Sequence, residues 1–175
     1  MEVEVPSPLW DRLMLGGSIS VNGACLSVRE LAKMRFFADL TRETLDRTTF
    51  QELRRRIRLN LELPVTPDRA FDGHMVLGHI DTTGRIKAIS RTGAAWTFVF
   101  SYPSSHRHYV AEKGSIAVDG ISLTPFETTA ETFRCAVIRE TYERTNLQDR
   151  IVGDPVNIEF DILAKYLERM MPGVR

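Results

Sequence analysis

Residues Gly114–Thr124 read GSIAVDGISLT, and residues Gly17–Ser27 read GSISVNGACLS. The two stretches lie 97 positions apart, and the offset persists beyond them. Arg42-Glu43-Thr44 returns as Arg139-Glu140-Thr141, Arg47-Thr48 as Arg144-Thr145, Phe36 as Phe133 and Asn60 as Asn157. From Gly17 to Leu63, 16 of 47 positions are identical without a gap. Chance gives about one match in sixteen at ordinary composition. A period this long marks a duplicated domain and not a solenoid of small units.

Each copy reads as short strands joined by turns. Ser18-Ile19-Ser20-Val21 alternates, Asn22-Gly23 turns the chain, and Cys25-Leu26-Ser27-Val28 resumes the alternation. Asp119-Gly120 does the same in the second copy, and Asn-Gly or Asp-Gly between alternating runs predicts a hairpin. Further strands are predicted at Glu2–Val5, Phe36–Thr41, Ile57–Leu63, Thr83–Lys87, Trp96–Ser101, Phe133–Ile138 and Pro155–Phe160. Short helical turns are predicted near Leu9–Met14 and His106–Ala111. Ile162, Leu163, Tyr166, Leu167 and Met170 recur at helical spacing in the tail. The fold class predicted is all-β: two tandem Greek-key β-barrels followed by a C-terminal helix. The units expected are 1–70, 71–161 and 162–175. The second repeat starts near Gly78, so the first lacks a counterpart of roughly its first nineteen residues: the chain is truncated, its start is misassigned, or the first barrel is open at one edge.

The 23 basic residues balance the 23 acidic ones. A neutral chain has no broad attraction for phosphate backbones or anionic membranes, so neither nucleic acid nor membrane is an expected partner. The cluster Arg54-Arg55-Arg56 reads as a solvated face. No apolar run reaches the length of a membrane span. The acidic, alternating N-terminal stretch is unlike a signal peptide. Cys25 and Cys135 have no metal-ligand spacing, which points to a reducing cytoplasm and no metal. Taken singly, Cys25 reads as a packing residue, Asp119 as a turn residue and His79 as a structural histidine. The spacing of His74 and His79 is not that of a zinc helix, and no phosphate loop or nucleophile elbow is present. The residues by themselves therefore predict a duplicated β-barrel that binds a ligand. The small polar pairs after the two turns, Cys25 with Ser27 and Ser122 with Thr124, exceed what a hairpin requires.

Six motifs in order, SVNGACLSV, RETLDRT, GHMVLGHIDTTG, KGSIAVDGISLT, IRETYERTNL and VNIEFD, strongly resemble riboflavin synthase, an enzyme with two lumazine-binding barrels. The resemblance covers nearly the whole chain. It implies that two molecules of 6,7-dimethyl-8-ribityllumazine bind, one per barrel, and dismutate. A four-carbon unit passes between them to give riboflavin and 5-amino-6-ribitylamino-uracil, without cofactor or metal. It also implies a homotrimer, with the tail helix a candidate contact. By the same resemblance Ser18, Cys25, Leu26, Ser27 and Asp39, Leu40, Thr41, Arg42, Glu43, Thr44 line the first site. Gly78, His79, Ile80, Lys113, Ser122, Leu123, Thr124, Ile138, Arg139, Glu140, Thr141, Tyr142, Glu143 and Asp161 line the second. Asp39–Thr44 and Ile138–Glu143 are carried over as strand segments. Cys25, His79, Asp119, Ser122 and Thr124 are the candidates for the chemistry, which calls for a general base and a positioned hydroxyl or thiol. The family's opening phenylalanine-bearing strand has no counterpart in this chain. The alternative function is a lumazine- or flavin-binding protein without turnover. A nucleic-acid-binding barrel is disfavoured by the neutral charge.

Overall fold

The computed structural model describes residues 1–53, 57–68, 70 and 73–171. The arginine cluster at 54–56 lies outside the described residues. In the first half, β1 (Glu2–Glu4), α1 (Ser7–Trp10), β2 (Ser18–Val21), β3 (Ala24–Ser27), β4 (Glu30–Ala32), β5 (Arg35–Phe37), α2 (Arg42–Arg47) and β6 (Leu61–Glu62) follow one another. The second half contains β7 (Thr82–Thr92), β8 (Ala95–Ser101), β9 (Ile116–Val118), β10 (Ile121–Leu123), β11 (Pro125–Phe126), β12 (Thr132–Ile138), α3 (Arg139–Arg144) and β13 (Pro155–Phe160). The tail is α4 (Ile162–Met170), capped by Asp161, whose carboxylate accepts the Leu163 N–H. Short 3-10 turns lie at Thr49–Glu52, Ser104–Tyr109 and Asn146–Asp149.

The duplication governs the topology. The second half is one sheet in the order β10-β9-β13-β7-β8-β12-β11. The first half is two sheets, β3-β2-β6 and β1-β5-β4. Deleting β7 from the larger sheet leaves these two sheets in the same order. The register is also copied: Val3 pairs with Phe36 as Phe100 pairs with Phe133. β7 is the strand that joins the two parts, pairing with β13 through Thr82–Arg85 and with β8 through the rest. Among the described residues of the first half no strand takes that place, and its two sheets stay separate.

Both hairpin turns hold two consecutive residues at positive φ: Asn22 at 43° with Gly23 at 80°, and Asp119 at 47° with Gly120 at 80°. That geometry matches the twist of the flanking strands and selects Asn, Asp and Gly. Alternation then buries one face of each strand. Ile19, Val21, Leu26 and Phe36 meet in the first core; Phe98, Phe100, Ile116, Val118, Phe133 and Ile158 meet in the second. Trp96 of β8 stacks on Tyr142 of α3 at 4.0 Å between ring centroids.

Some predicted strands are shorter than expected. The run Phe36–Thr41 ends at Phe37, the last residue paired with β1, and Thr41 caps α2, its hydroxyl accepting the Thr44 N–H. The run Ile57–Leu63 pairs only at Leu61–Glu62, since β2 is its one neighbour. Its repeat-mate β13 is held on both sides, by β9 and β7, and stays extended from Pro155 to Phe160. The strand predicted at Thr83–Lys87 runs longer, from Thr82 to Thr92.

Candidate active site

The two halves meet along a seam with repeat-related hydrogen bonds. A side chain on Gly23 would lie 2.7 Å from the Gly120 nitrogen, and one on Gly120 would lie 2.9 Å from the Gly23 nitrogen. The turns touch because neither carries a Cβ. Asn60 N–H donates to Asn22 Oδ1, and Asn157 N–H donates to Asp119 Oδ1, each at 2.8 Å. Asn157 Nδ2 donates to the Asn22 carbonyl and Asn60 Nδ2 to that of Asp119, each at 2.9 Å. Thr49 N–H donates to Asn157 Oδ1 and Asn146 N–H to Asn60 Oδ1.

One difference breaks this symmetry. Asp119 Oδ2 accepts from Arg150 Nη2 at 2.7 Å and from Asn146 Nδ2 at 2.8 Å. The position repeat-related to Arg150 is Leu53. Asp119 is fully buried. Burial pushes its carboxyl up, while Arg150, the Asn157 N–H and Asn146 pull it back. Its carboxylate accepts three hydrogen bonds at the seam, which supports a structural role for it.

The pocket candidates lie on the opposite face of the hairpins from the cores. Register places Ser122, Ala117 and Glu159 side by side across β10, β9 and β13. Cys25, Ser20 and Glu62 lie side by side across β3, β2 and β6. Residues 73–80 form neither helix nor strand and run as a strap across both faces. His74 Nδ1 is 2.7 Å from Ser122 Oγ. Further along, the Cys25 N–H donates to the Gly78 carbonyl at 2.8 Å, and Ile80 packs on the first core. Gly78 has φ +82°, and a Cβ there would lie 2.6 Å from Cys25 Cβ. Only glycine permits that approach.

His74 is the site residue that sequence reasoning passed over in favour of His79. Burial lowers its pKa, against the pull of the Asp161 carboxylate. With its proton on Nε2, a neutral imidazole would accept the Ser122 hydroxyl at Nδ1, the arrangement of a base with a positioned hydroxyl. Nε2 is buried without a partner among the described residues. The sequence signal was the glycine beside it: a Cβ on Gly73 would lie 2.8 Å from Ser122 Oγ. His79 itself is exposed, with its N–H donated to Glu159.

The other expected residues divide into groups. Cys25, Ser27 and Thr124 are exposed beside the strap or on the same strand face, whereas Leu26 and Leu123 point into the cores. Ser18 is exposed on β2. Asp39 and Leu40 precede α2, and Asp39 pairs with Arg29 at 3.1 Å. The expected strand segments Asp39–Thr44 and Ile138–Glu143 are corrected: each runs from a cap into a helix, with Arg42–Glu43–Thr44 in α2 and Arg139–Glu143 in α3. Ion pairs four residues apart hold Arg42 to Asp46, Arg139 to Glu143 and Arg144 to Glu140. The caps differ between halves: Thr41 bonds its helix, while Ile138 has no side-chain cap bond and is 62% exposed. Thr141 accepts the Thr145 hydroxyl at its carbonyl. Lys113 is exposed at φ +63°, its ammonium 5.5 Å from the Phe126 ring.

The Lumazine binding domain family matches residues 1–64 and again residues 77–161. The riboflavin synthase of Actinobacillus pleuropneumoniae is 42% identical over 158 residues, which is 90% of this chain and 73% of that protein. The riboflavin synthase of Mycobacterium tuberculosis is 45% identical over 161 residues, covering 89% and 80%. That of Bacillus subtilis is 35% identical over 165 residues, covering 94% and 77%. The crystal structure of LumP complexed with 6,7-dimethyl-8-(1'-D-ribityl) lumazine has a TM-score of 0.82 at 19% identity, over 91% of this chain and 85% of that one. LumP complexed with riboflavin gives 0.83 at 20%, over 91% and 86%. At that identity the LumP likeness speaks for the fold alone. With the matched pair of domains, the copied register and relatives this similar over most of both lengths, the chain belongs to the riboflavin synthase family.

Proposed function

We propose that this chain converts two molecules of 6,7-dimethyl-8-ribityllumazine into riboflavin and 5-amino-6-ribitylamino-uracil. The reaction needs a base to take a proton from the C7 methyl of one lumazine and a nucleophile or water to add to the other. A four-carbon unit then passes between the rings, and the two products contain all the atoms of the two substrates. No cofactor is consumed. The observation that carries the reading is the strap of residues 73–80. It touches Ser122 in one half and Cys25 in the other, so one segment organises two ligand faces. Holding two identical reactants in register supplies much of the acceleration in such a reaction.

In this reading His74 and Ser122 handle the proton, with Thr124 beside them, and Cys25 serves the first face. Ser18, Ser27 and Asp39–Thr44 shape the first pocket, with Leu26 offering backbone while its side chain lies in the core. His79, Lys113, Ile138–Glu143 and Asp161 shape the second, with Leu123 offering backbone; Gly78 and Ile80, expected there, lie against the first half. The domain units are 1–70, 71–161 and 162–175. A homotrimer is supported by the exposed Leu163, Tyr166, Leu167 and Met170 on α4. A cytoplasmic location is supported by two free cysteines.

The test is incubation with 6,7-dimethyl-8-ribityllumazine, following riboflavin absorbance with ligand fluorescence in parallel. Turnover is the expected result. Binding without turnover would favour the second reading, a non-catalytic lumazine- or flavin-binding protein. The two sheets of the first half, which no strand joins among the described residues, are the observation on that side.

A further inference from the structure

Besides Asp119, Glu159 is the buried carboxylate among the described residues. It lies on β13, 2% exposed, on the face that turns away from the second core. Its carboxylate accepts three consecutive backbone N–H groups: Leu77 to Oε1 at 2.7 Å, and Gly78 and His79 to Oε2 at 2.9 and 3.0 Å. The three donors belong to the strap. Three residues before them, His74 meets Ser122; the same Gly78 meets Cys25 through its carbonyl. We propose that Glu159 is a positioning residue, its carboxylate clamping residues 77–79 so that His74 is held on Ser122 and Gly78 on Cys25.

Three arguments converge on this. A segment with neither helix nor strand has no ladder to fix it, and hydrogen bonds to an ionised acceptor are about twice as strong as neutral ones. Bonding both oxygens to successive amides fixes the direction of the strap as well as its place. The register then ties the clamp to the chemistry, because Glu159 and Ser122 flank the same residue, Ala117, from either side. Burial pushes the Glu159 carboxyl up, and the three amides together with Lys165 oppose that shift. The repeat-mate Glu62 occupies the same register beside Ser20 and is exposed on β6, whereas Glu159 is buried. This inference rests on the proposed reaction for its kinetic part and on geometry alone for the clamp.

The experiment uses the full chain with two variants. Glu159→Gln keeps the size but presents an NH2 group to the strap amides. Leu77→Pro removes one donor and leaves the carboxylate intact, at a position 38% exposed. Amide exchange at 77–79 is expected to quicken about tenfold or more in Glu159→Gln, while the amides of β12 keep their protection. With 6,7-dimethyl-8-ribityllumazine, kcat is expected to fall on the order of 10- to 100-fold in both variants, with KM changed less than about threefold. Unchanged exchange at 77–79 overturns the clamp. Faster exchange with unchanged kcat overturns the positioning role. Loss of protection throughout β12 in both variants assigns Glu159 to global folding instead. If the unmodified chain forms no riboflavin, the proposed reaction fails on its own. The clamp is then decided by exchange and by the His74 ring resonances, which shift in Glu159→Gln only if the strap leaves Ser122.

Discussion

Ser122 and Cys25 occupy the same place in the two repeats, but their partners differ. Ser122 Oγ has an imidazole at 2.7 Å, whereas the Cys25 N–H bonds a glycine carbonyl. Replacing Ser122 by Ala is expected to lower kcat on the order of 100-fold at little cost in stability, since the residue is half-exposed. Turnover and a melting curve check this together. His74 sets the expected pH dependence. Its pKa is lowered by burial, so the neutral form that accepts a proton persists below the ordinary imidazole value of about 6.5. Activity should fall as pH drops through that lowered value, and His74→Gln should remove the acidic limb from a kcat/KM profile. The same depressed pKa means that folding stability is lost as pH falls below the ordinary value, since protonation favours the unfolded chain. Cys135 behaves differently from Cys25. It is buried in the second core, its thiol is pushed up to about 12 by burial, and it serves as packing.

At the scale of elements, the two hairpin turns join the halves by close approach. Gly23→Ala would place a Cβ 2.7 Å from backbone at φ +80° and is expected to cost about 2–4 kcal/mol. Gly93→Ala, at φ +63° with open space around it, is the control and should cost about 1 kcal/mol. Urea unfolding of both variants separates the contact from the dihedral strain. Asp119→Asn removes the charge opposite Arg150, which is only 11% exposed at its side chain. Leaving that guanidinium buried and unpaired is expected to cost about 3 kcal/mol, read by the same unfolding curves. A loss of kcat with unchanged stability in this variant would return Asp119 to the chemistry.

For the whole molecule, α4 docks on the second half through polar links, His108 to Glu168 at 3.1 Å among them. Lys165 pairs with Asp81 at 2.6 Å, and Tyr109 donates to Glu168. Its other side leaves Leu163, Tyr166, Leu167 and Met170 between 58% and 77% exposed. If the proposed homotrimer uses this face, the double substitution Leu163→Glu, Leu167→Glu lowers the sedimenting mass, with the secondary structure unchanged by circular dichroism. An oligomer of the same size would place the contact elsewhere.

The sequence by itself determined the duplication, the hairpins and the order of strands, because these rest on local rules. Positive φ selects Asn-Gly and Asp-Gly, alternation selects a buried face, and a constant offset copies the register. It also placed Ser122 and Cys25 at equivalent positions. Tertiary structure alone decided what those positions meet. Asp119 reads alone as a turn residue, and the resemblance adds it to the chemistry; in space Arg150, 31 residues later, and the seam amides occupy its carboxylate. The helices at Arg42 and Arg139 replaced the expected strand segments, because a capping hydroxyl at Thr41 and packing of Tyr142 on Trp96 outweigh continuation of the ladder. His74 was invisible as a partner of Ser122 for the same reason: 48 residues separate them in sequence, and only the strap, with Glu159 beneath it, brings them within a hydrogen bond.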